Sequence, residues 1–192
     1  MAGRRPLPYS KLIATSGPIT IRPYKYSDYK SFIKSLSQRL PNQNQYDVIF
    51  ANELNPSLAA FKEKVDRNRK LGKMKVHFIL GVFSTKTNKY LGQVDLFMIN
   101  KQLRWFNLGY QILNQHWGKG YATRAGKVAL KMAFTNLNIH RVECGCELEN
   151  DASIKVAKNL GMDREGIRKR FFHEDLNVNM LIFGANAIDN ES

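Results

Sequence analysis

Between residues 76 and 112 apolar and polar positions alternate with the two-residue period of strands. Residues 76–84 and 90–100 are rich in β-branched and aromatic side chains and are separated by the turn-forming TKTNK of 85–89. A third run, 104–112, sets Trp105, Asn107, Gly109 and Gln111 on one side and Phe106, Leu108, Tyr110 and Ile112 on the other. Together these three predict an antiparallel meander. Gly109 interrupts the third strand, and a glycine there marks a bulge or the close approach of another backbone. A bulge at Gly109 would splay this strand from its next neighbour and open a slot for a ligand.

On either side of the meander the pattern predicts helices and shorter strands. Residues 1–17, with Pro6, Pro8 and Gly17, lack periodicity and are expected to form an extended N-terminal arm. Ile19 and Ile21 alternate with Thr20 and Arg22 in a short strand. Ser27 and Asp28 then cap a helix running to about Leu40, with Tyr29, Phe32, Ile33 and Leu36 on one face. After the polar loop 41–46, a second helix follows Pro56 or Ser57, buries Leu58, Phe61 and Val65, and ends near Gly72. Downstream of Gly120, helical spacing of Ala122, Ala125, Gly126, Ala129, Met132 and Ala133 makes a stripe of mostly small residues suited to close packing on a sheet. Residues 141–148 read as a strand with Val142, Cys144, Cys146 and Leu148 on its apolar face. Asn150 or Asp151 caps a helix carrying Ile154, Ala157 and Leu160 and closed by Gly161. A hairpin of 166–172 and 178–187 across 173–177 completes the order. The expected fold is α/β (α+β): one domain over 18–188 with a mixed, mainly antiparallel central sheet flanked by helices, and a short tail at 189–192.

Composition narrows the class. At 192 residues the chain is long enough to bury a core without metals or disulfides. Its apolar runs are too short for a membrane span and residues 1–16 lack the apolar core of a signal peptide, so a soluble, cytoplasmic protein is expected, as a monomer or homodimer. The two cysteines, Cys144 and Cys146, point to the same side of a strand, where they cannot easily bridge. With no further Cys or His cluster they read as buried filler, and no metal is expected. The formal charge of +14 is uneven: residues 1–94 hold 17 basic against 5 acidic side chains, and 95–192 hold 13 against 11. Such a surface attracts phosphate-rich or acidic partners, RNA or the ribosome among them, although solvated helix faces explain Lys62, Lys64, Arg67, Arg69 and Lys70 equally well.

Candidate chemistry concentrates in 114–133. Gly118 and Gly120 stand immediately before a long run of helix formers, so unpaired N–H groups and the positive end of a helix dipole are presented together to an anion. Neither the dinucleotide fingerprint nor the nucleoside-triphosphate loop occurs in the chain. What does occur is Q-x-x-G-x-G from Gln115 to Gly120, continued by Tyr121, Ala122 and Thr123. This resembles the coenzyme A pyrophosphate loop of the GNAT acyltransferase superfamily. The fuller string WGKGYAT, with Asn150-x-x-Ser153 and Leu160-Gly161-Met162 downstream, resembles the RimJ/RimL-like ribosomal-protein acetyltransferase branch. The resemblance covers residue 18 to about residue 187.

That resemblance implies acetyl-CoA as the donor and direct transfer of the acetyl group to a primary amine, a protein N-terminus or a small molecule. It further implies that Gly118 and Gly120, with Tyr121, Ala122 and Thr123 beside them, hold the pyrophosphate, bordered by Gln115, Trp117 and Lys119. By the same resemblance Asn150 bonds the pantetheine arm, and Ser153 presents a hydroxyl to the cofactor sulfur as the candidate acid; its alternative is local capping of the helix. The base departs from the family pattern. Asn107 stands where relatives often carry a glutamate; it can position a water but not take a proton. Asp95, on the adjacent strand, is the nearest carboxylate, or else a salt-bridged strand acid. Arg124 replaces an acidic residue common in relatives and reaches a cofactor phosphate or solvent. Loss of the usual glutamate keeps a second reading open, a non-catalytic module that retains coenzyme A and binds RNA or the ribosome. His116 and His173 read as loop and turn residues, and Ser31-x-x-Lys34 as a coincidental match to a nucleophile motif.

Overall fold

The computed structural model describes residues 6–47, 55–169 and 178–187. Eight strands form one sheet in the order β1-β2-β3-β4-β5-β6-β8-β7. The strands are β1 (Ala14–Ser16), β2 (Ile19–Arg22), β3 (His77–Ser84), β4 (Tyr90–Asn100), β5 (Trp105–Ile112), β6 (Arg141–Glu147), β7 (Asp163–Arg168) and β8 (Met180–Asn186). All neighbours are antiparallel except β5 and β6. Among the described residues four α-helices accompany them: α1 (Tyr29–Ser37), α2 (Leu58–Lys73), α3 (Tyr121–Asn136) and α4 (Asp151–Asn159). Among the described residues no helix is long and apolar enough to cross a membrane.

Sheet alternation sorts the core into two clusters. Leu80, Val82, Val94, Leu96, Phe106 and Leu108 pack with Ala125, Ala129 and Ala133 of α3 on one face. On the other, Phe83 and Tyr90 join Phe32 and Leu36 of α1, Phe61 and Val65 of α2, and Tyr24. Here edge-on contacts of Tyr24 with Phe32, Phe61 and Phe83, at centroid separations of 6.2, 6.3 and 6.1 Å, suit the ring quadrupoles. Both cysteines are buried and free, with Cys144 Sγ 3.7 Å from Met162 Sδ in the first cluster.

Local chemistry sets the element ends. Ser57 Oγ accepts from the Ala60 N–H at the start of α2, and Asn150 Oδ1 accepts from the Ser153 N–H at the start of α4. Asp28 stands at the N-cap of α1 without bonding it. Its carboxylate instead accepts from the Lys25 N–H and pairs with the buried Arg22 guanidinium at 2.8 Å. Leu58, expected in the buried stripe of α2, is exposed, and the buried positions are Phe61, Val65, Asn68 and Gly72. Leu148 likewise falls beyond the end of β6 and is exposed.

The stretch expected as an arm is, from Pro6 onward, packed on the body of the fold. Leu7 N–H donates to Asn136 O, Tyr9 lies where a Cβ on Gly72 would be, and its hydroxyl donates to Ile79 O at 2.5 Å. Tyr9 and Leu12 are buried, and β1 adds a strand not expected from the pattern. Since β2 pairs only with Gly81 to Ser84, this segment covers the edge that β3 leaves open at Ile79. The final hairpin is β7–β8; its connection, with His173, lies outside the described residues.

Candidate functional site

The splay between β5 and β6 creates the site. These strands pair only at Trp105–Arg141, Phe106–Val142 and Asn107–Glu143, although β5 continues to Ile112 and β6 to Glu147. Beyond Asn107 the two diverge, leaving β5 main-chain groups on that side without a strand partner. The expected bulge at Gly109 is absent: Gly109 pairs in register with Asp95, and the β4–β5 irregularity falls between Met98 and Asn100. Gly109 has a different reason to be glycine. A Cβ there would lie 2.6 Å from Asp95 Oδ1, so the missing side chain makes room for that carboxylate.

A groove of about 530 Å³ runs from this splay to the start of α3. Tyr110, Gln111 and Ile112 of β5 line it, with Trp117, Gly118, Gly120, Tyr121, Ala122 and Thr123, and on the α4 side Asn150 and Ser153. Gly118 and Gly120 have φ of +74° and +70°, which L side chains adopt only under strain, and a Cβ on either would meet nothing within 4 Å. Among the described residues no main-chain acceptor pairs with the N–H groups of residues 118–123, whereas Arg124 N–H already bonds Gly120 O. Open space, positive-φ glycines and unspent amides at a helix N-terminus fit a diphosphate. A second hollow of about 400 Å³ continues from Gly120 past Lys119, Thr123, Arg124 and Lys127, and so offers cations to a further phosphate.

Several side chains of the loop are committed to holding its shape. Gln115 Nε2 donates to Ser35 O at 2.8 Å, which ties the loop to α1 and turns this residue away from the groove. Trp117 Nε1 donates to Ile112 O at 2.6 Å. Lys119 lines the second hollow and not the main groove. His116 is buried in the groove wall with Nε2 unpartnered among the described residues; burial, then Lys89 and Lys119, lower its pKa to about 4. Tyr110 donates to Ser153 O at 3.2 Å, and burial pushes its phenol well above the usual value. The cap of α4 is made by Asn150 through Oδ1, so the helix does not spend the Ser153 hydroxyl on it.

Asp95 and Asn107 lie outside the groove lining, on the sheet face shared with α1 and α2, as their register with Ile79 and Phe97 requires. Three further features carry no local signature in the sequence pattern. His77 Nε2 is 2.7 Å from Asp95 Oδ2. Glu143, only 1% exposed, faces Asn107 across the last β5–β6 pair and accepts from Arg168 at 3.0 Å. Asp47 accepts from Arg39, Gln43 N–H and Asn114 Nδ2, pinning residues 41–47 beside the groove, where Asn44 and Tyr46 join its lining. Each joins residues distant in sequence; only the alternation that puts His77 and Asp95 on one face of paired strands could have pointed to the first.

Residues 19–163 match the family profile described as "Acetyltransferase (GNAT) domain". The chain belongs to the GNAT acetyltransferase family. Its acetyl donor is accordingly acetyl-CoA, the ligand whose diphosphate the loop fits. Among curated relatives, the probable N-acetyltransferase YjcK of Bacillus subtilis (strain 168) is 28% identical over 159 residues, 79% of this chain and 84% of that protein. The uncharacterized N-acetyltransferase p20 of Bacillus licheniformis is 33% identical over 86 residues, a match spanning 45% of this chain and about half (48%) of that protein. The ribosomal-protein-S5-alanine acetyltransferase of Vibrio fischeri has the same fold: TM-score 0.76 at 19% identity, over 95% of this chain and 100% of that one.

Proposed function

We propose that this GNAT protein transfers the acetyl group of acetyl-CoA directly to a primary amine, with the N–H groups of residues 118–123 holding the diphosphate. The observation that carries this reading is the run of unspent amides at Gly118 and Gly120 opening onto a groove that ends at the β5–β6 splay. Asn150 Nδ2 bonds the pantetheine arm, and the Ser153 hydroxyl relays a proton from solvent to the departing sulfur, so that the serine ends the step protonated. A strand N–H freed where β5 leaves β6 stabilises the charge that develops on the thioester oxygen. The amine approaches from the face of α1 and α2, where Asp95 takes the proton that the nitrogen must lose and Asn107 orients the nucleophile or a water.

Two features support an amine held near a carboxylate. Asp95 sits over the one glycine of β5, in the segment past the last pair with β6. Glu143, the carboxylate of the last β5–β6 pair, is already engaged by Arg168 and Arg141. The acceptor classes are a protein N-terminus, the name of the Vibrio fischeri neighbour giving an alanine of ribosomal protein S5 for that protein, and a small-molecule amine. The test is thiol release from acetyl-CoA over a panel of peptides with free N-termini and of polyamines. Amine-dependent release supports acetyl transfer. Absence of turnover with every acceptor, together with tight, salt-sensitive RNA binding, would instead favour the non-catalytic module to which the basic first half of the chain is suited.

A further inference from the structure

Two side chains from neighbouring strands meet on the acceptor face in a way that the loop chemistry does not require. His77 opens β3 and Asp95 lies on β4, two positions from the residue that His77 opposes. His77 Nε2 is 2.7 Å from Asp95 Oδ2, while Asp95 Oδ1 occupies the space above Gly109 that a Cβ would fill. An ionised carboxylate only accepts hydrogen bonds, so Nε2 carries the hydrogen. Both side chains are part-buried, at 30% and 20% exposure, and the imidazole also contacts the Phe97 ring edge-on at 6.0 Å. The carboxylate is therefore fixed at one oxygen by a ring N–H, and its other oxygen fits the space that Gly109 leaves free.

We infer that His77 is a positioning residue, which fixes the Asp95 carboxylate over Gly109 with Oδ1 presented to the amine acceptor at the β5–β6 splay. This inference rests on the acetyl-transfer reading above. An unrestrained aspartate could rotate Oδ1 away from Gly109. The N–H on Oδ2 removes that freedom and leaves one oxygen for the proton of the attacking nitrogen. In the step itself the nitrogen lone pair forms the C–N bond and the C–S electron pair leaves with sulfur. The nitrogen's proton passes to Asp95 Oδ1, and the sulfur is protonated from the Ser153 side. Holding a carboxylate within hydrogen-bond reach of the proton it removes is the geometric requirement for general-base catalysis.

The test compares wild type with His77→Phe, His77→Gln and Asp95→Asn, using the most active amine of the acceptor panel and thiol release as the assay. Phe keeps a ring against Phe97 but has no donor, whereas Gln offers an N–H at about the reach of Nε2. The expected result is a loss in kcat of roughly tenfold or more for H77F with the KM for acetyl-CoA unchanged, substantial recovery in H77Q, and a larger loss in D95N. The double variant H77F/D95N should be no slower than D95N, because His77 acts through Asp95. Wild-type kcat in H77F, or losses that multiply in the double variant, overturns the inference while leaving acetyl transfer intact. A wild-type chain that acetylates no amine overturns the acetyl-transfer reading itself, and this inference with it. Nitrogen-15 NMR of the imidazole gives a readout free of turnover: the Nε2-bound proton should be present and its signal should move in D95N, and an unprotonated Nε2 contradicts the arrangement.

Discussion

Gly120 shows how far one residue can decide the chemistry of the whole chain. Its φ of +70° lies in the left-handed region, where aspartate and asparagine are the least strained replacements, and a Cβ there meets no atom within 4 Å. Gly120→Asp should therefore cost only the left-handed backbone strain, about 1 kcal/mol of stability, while its charge and bulk lower coenzyme A affinity by roughly a hundredfold or more, about 3 kcal/mol; isothermal calorimetry reads the affinity directly. Ser153→Ala should lower kcat by about tenfold or more with little change in acetyl-CoA KM, since the hydroxyl acts on the departing sulfur and not on the diphosphate. His116 is a pH probe. Its folded pKa of about 4 lies below the usual 6.5 of an unfolded chain, so the unfolded state binds more protons between those values. Stability should fall as pH drops through about 6.5 and stop falling from this cause below about 4. His116→Asn should flatten the melting-temperature profile across that window, and its ring signals in wild-type NMR spectra should not titrate between pH 5 and 8.

At the scale of elements, the same residues often serve the fold and the site. Asn150 caps α4 through Oδ1 and lines the groove, so Asn150→Ala should cost about 1 kcal/mol by urea denaturation and also weaken coenzyme A binding. The meander and α3 were legible in the sequence because their apolar periods run for several residues and end at turn formers. The Gly118–Gly120 loop was legible because a phosphate cradle depends on local backbone. Where the reading failed, a long-range contact decides. Gly109 looked like a bulge, yet its neighbour is a carboxylate on the adjacent strand. Residues 1–17 read as an extended arm, yet in its described part Tyr9 and Leu12 find their partners in Gly72, Ile79 and the sheet core. His77 and Glu143 carry no local signature, because each gains its meaning from a residue on another strand.

For the molecule as a whole, the layout separates two tasks across one sheet. α3 and α4 on one face border the groove, while β3, β4 and β5 carry a polar patch of His77, Asp95 and Asn107 on the face of α1 and α2. The β5–β6 splay is where the two faces communicate, so the central claim is that an acyl sulfur reaches that gap when the diphosphate is bound at the loop. A crystal structure of the coenzyme A complex tests this most directly. Diphosphate oxygens should lie within hydrogen-bond distance of main-chain N–H groups in residues 118–123, with the sulfur between β5 and β6 near Ser153. Coenzyme A bound elsewhere, or bound here with its sulfur directed away from the splay, would contradict it.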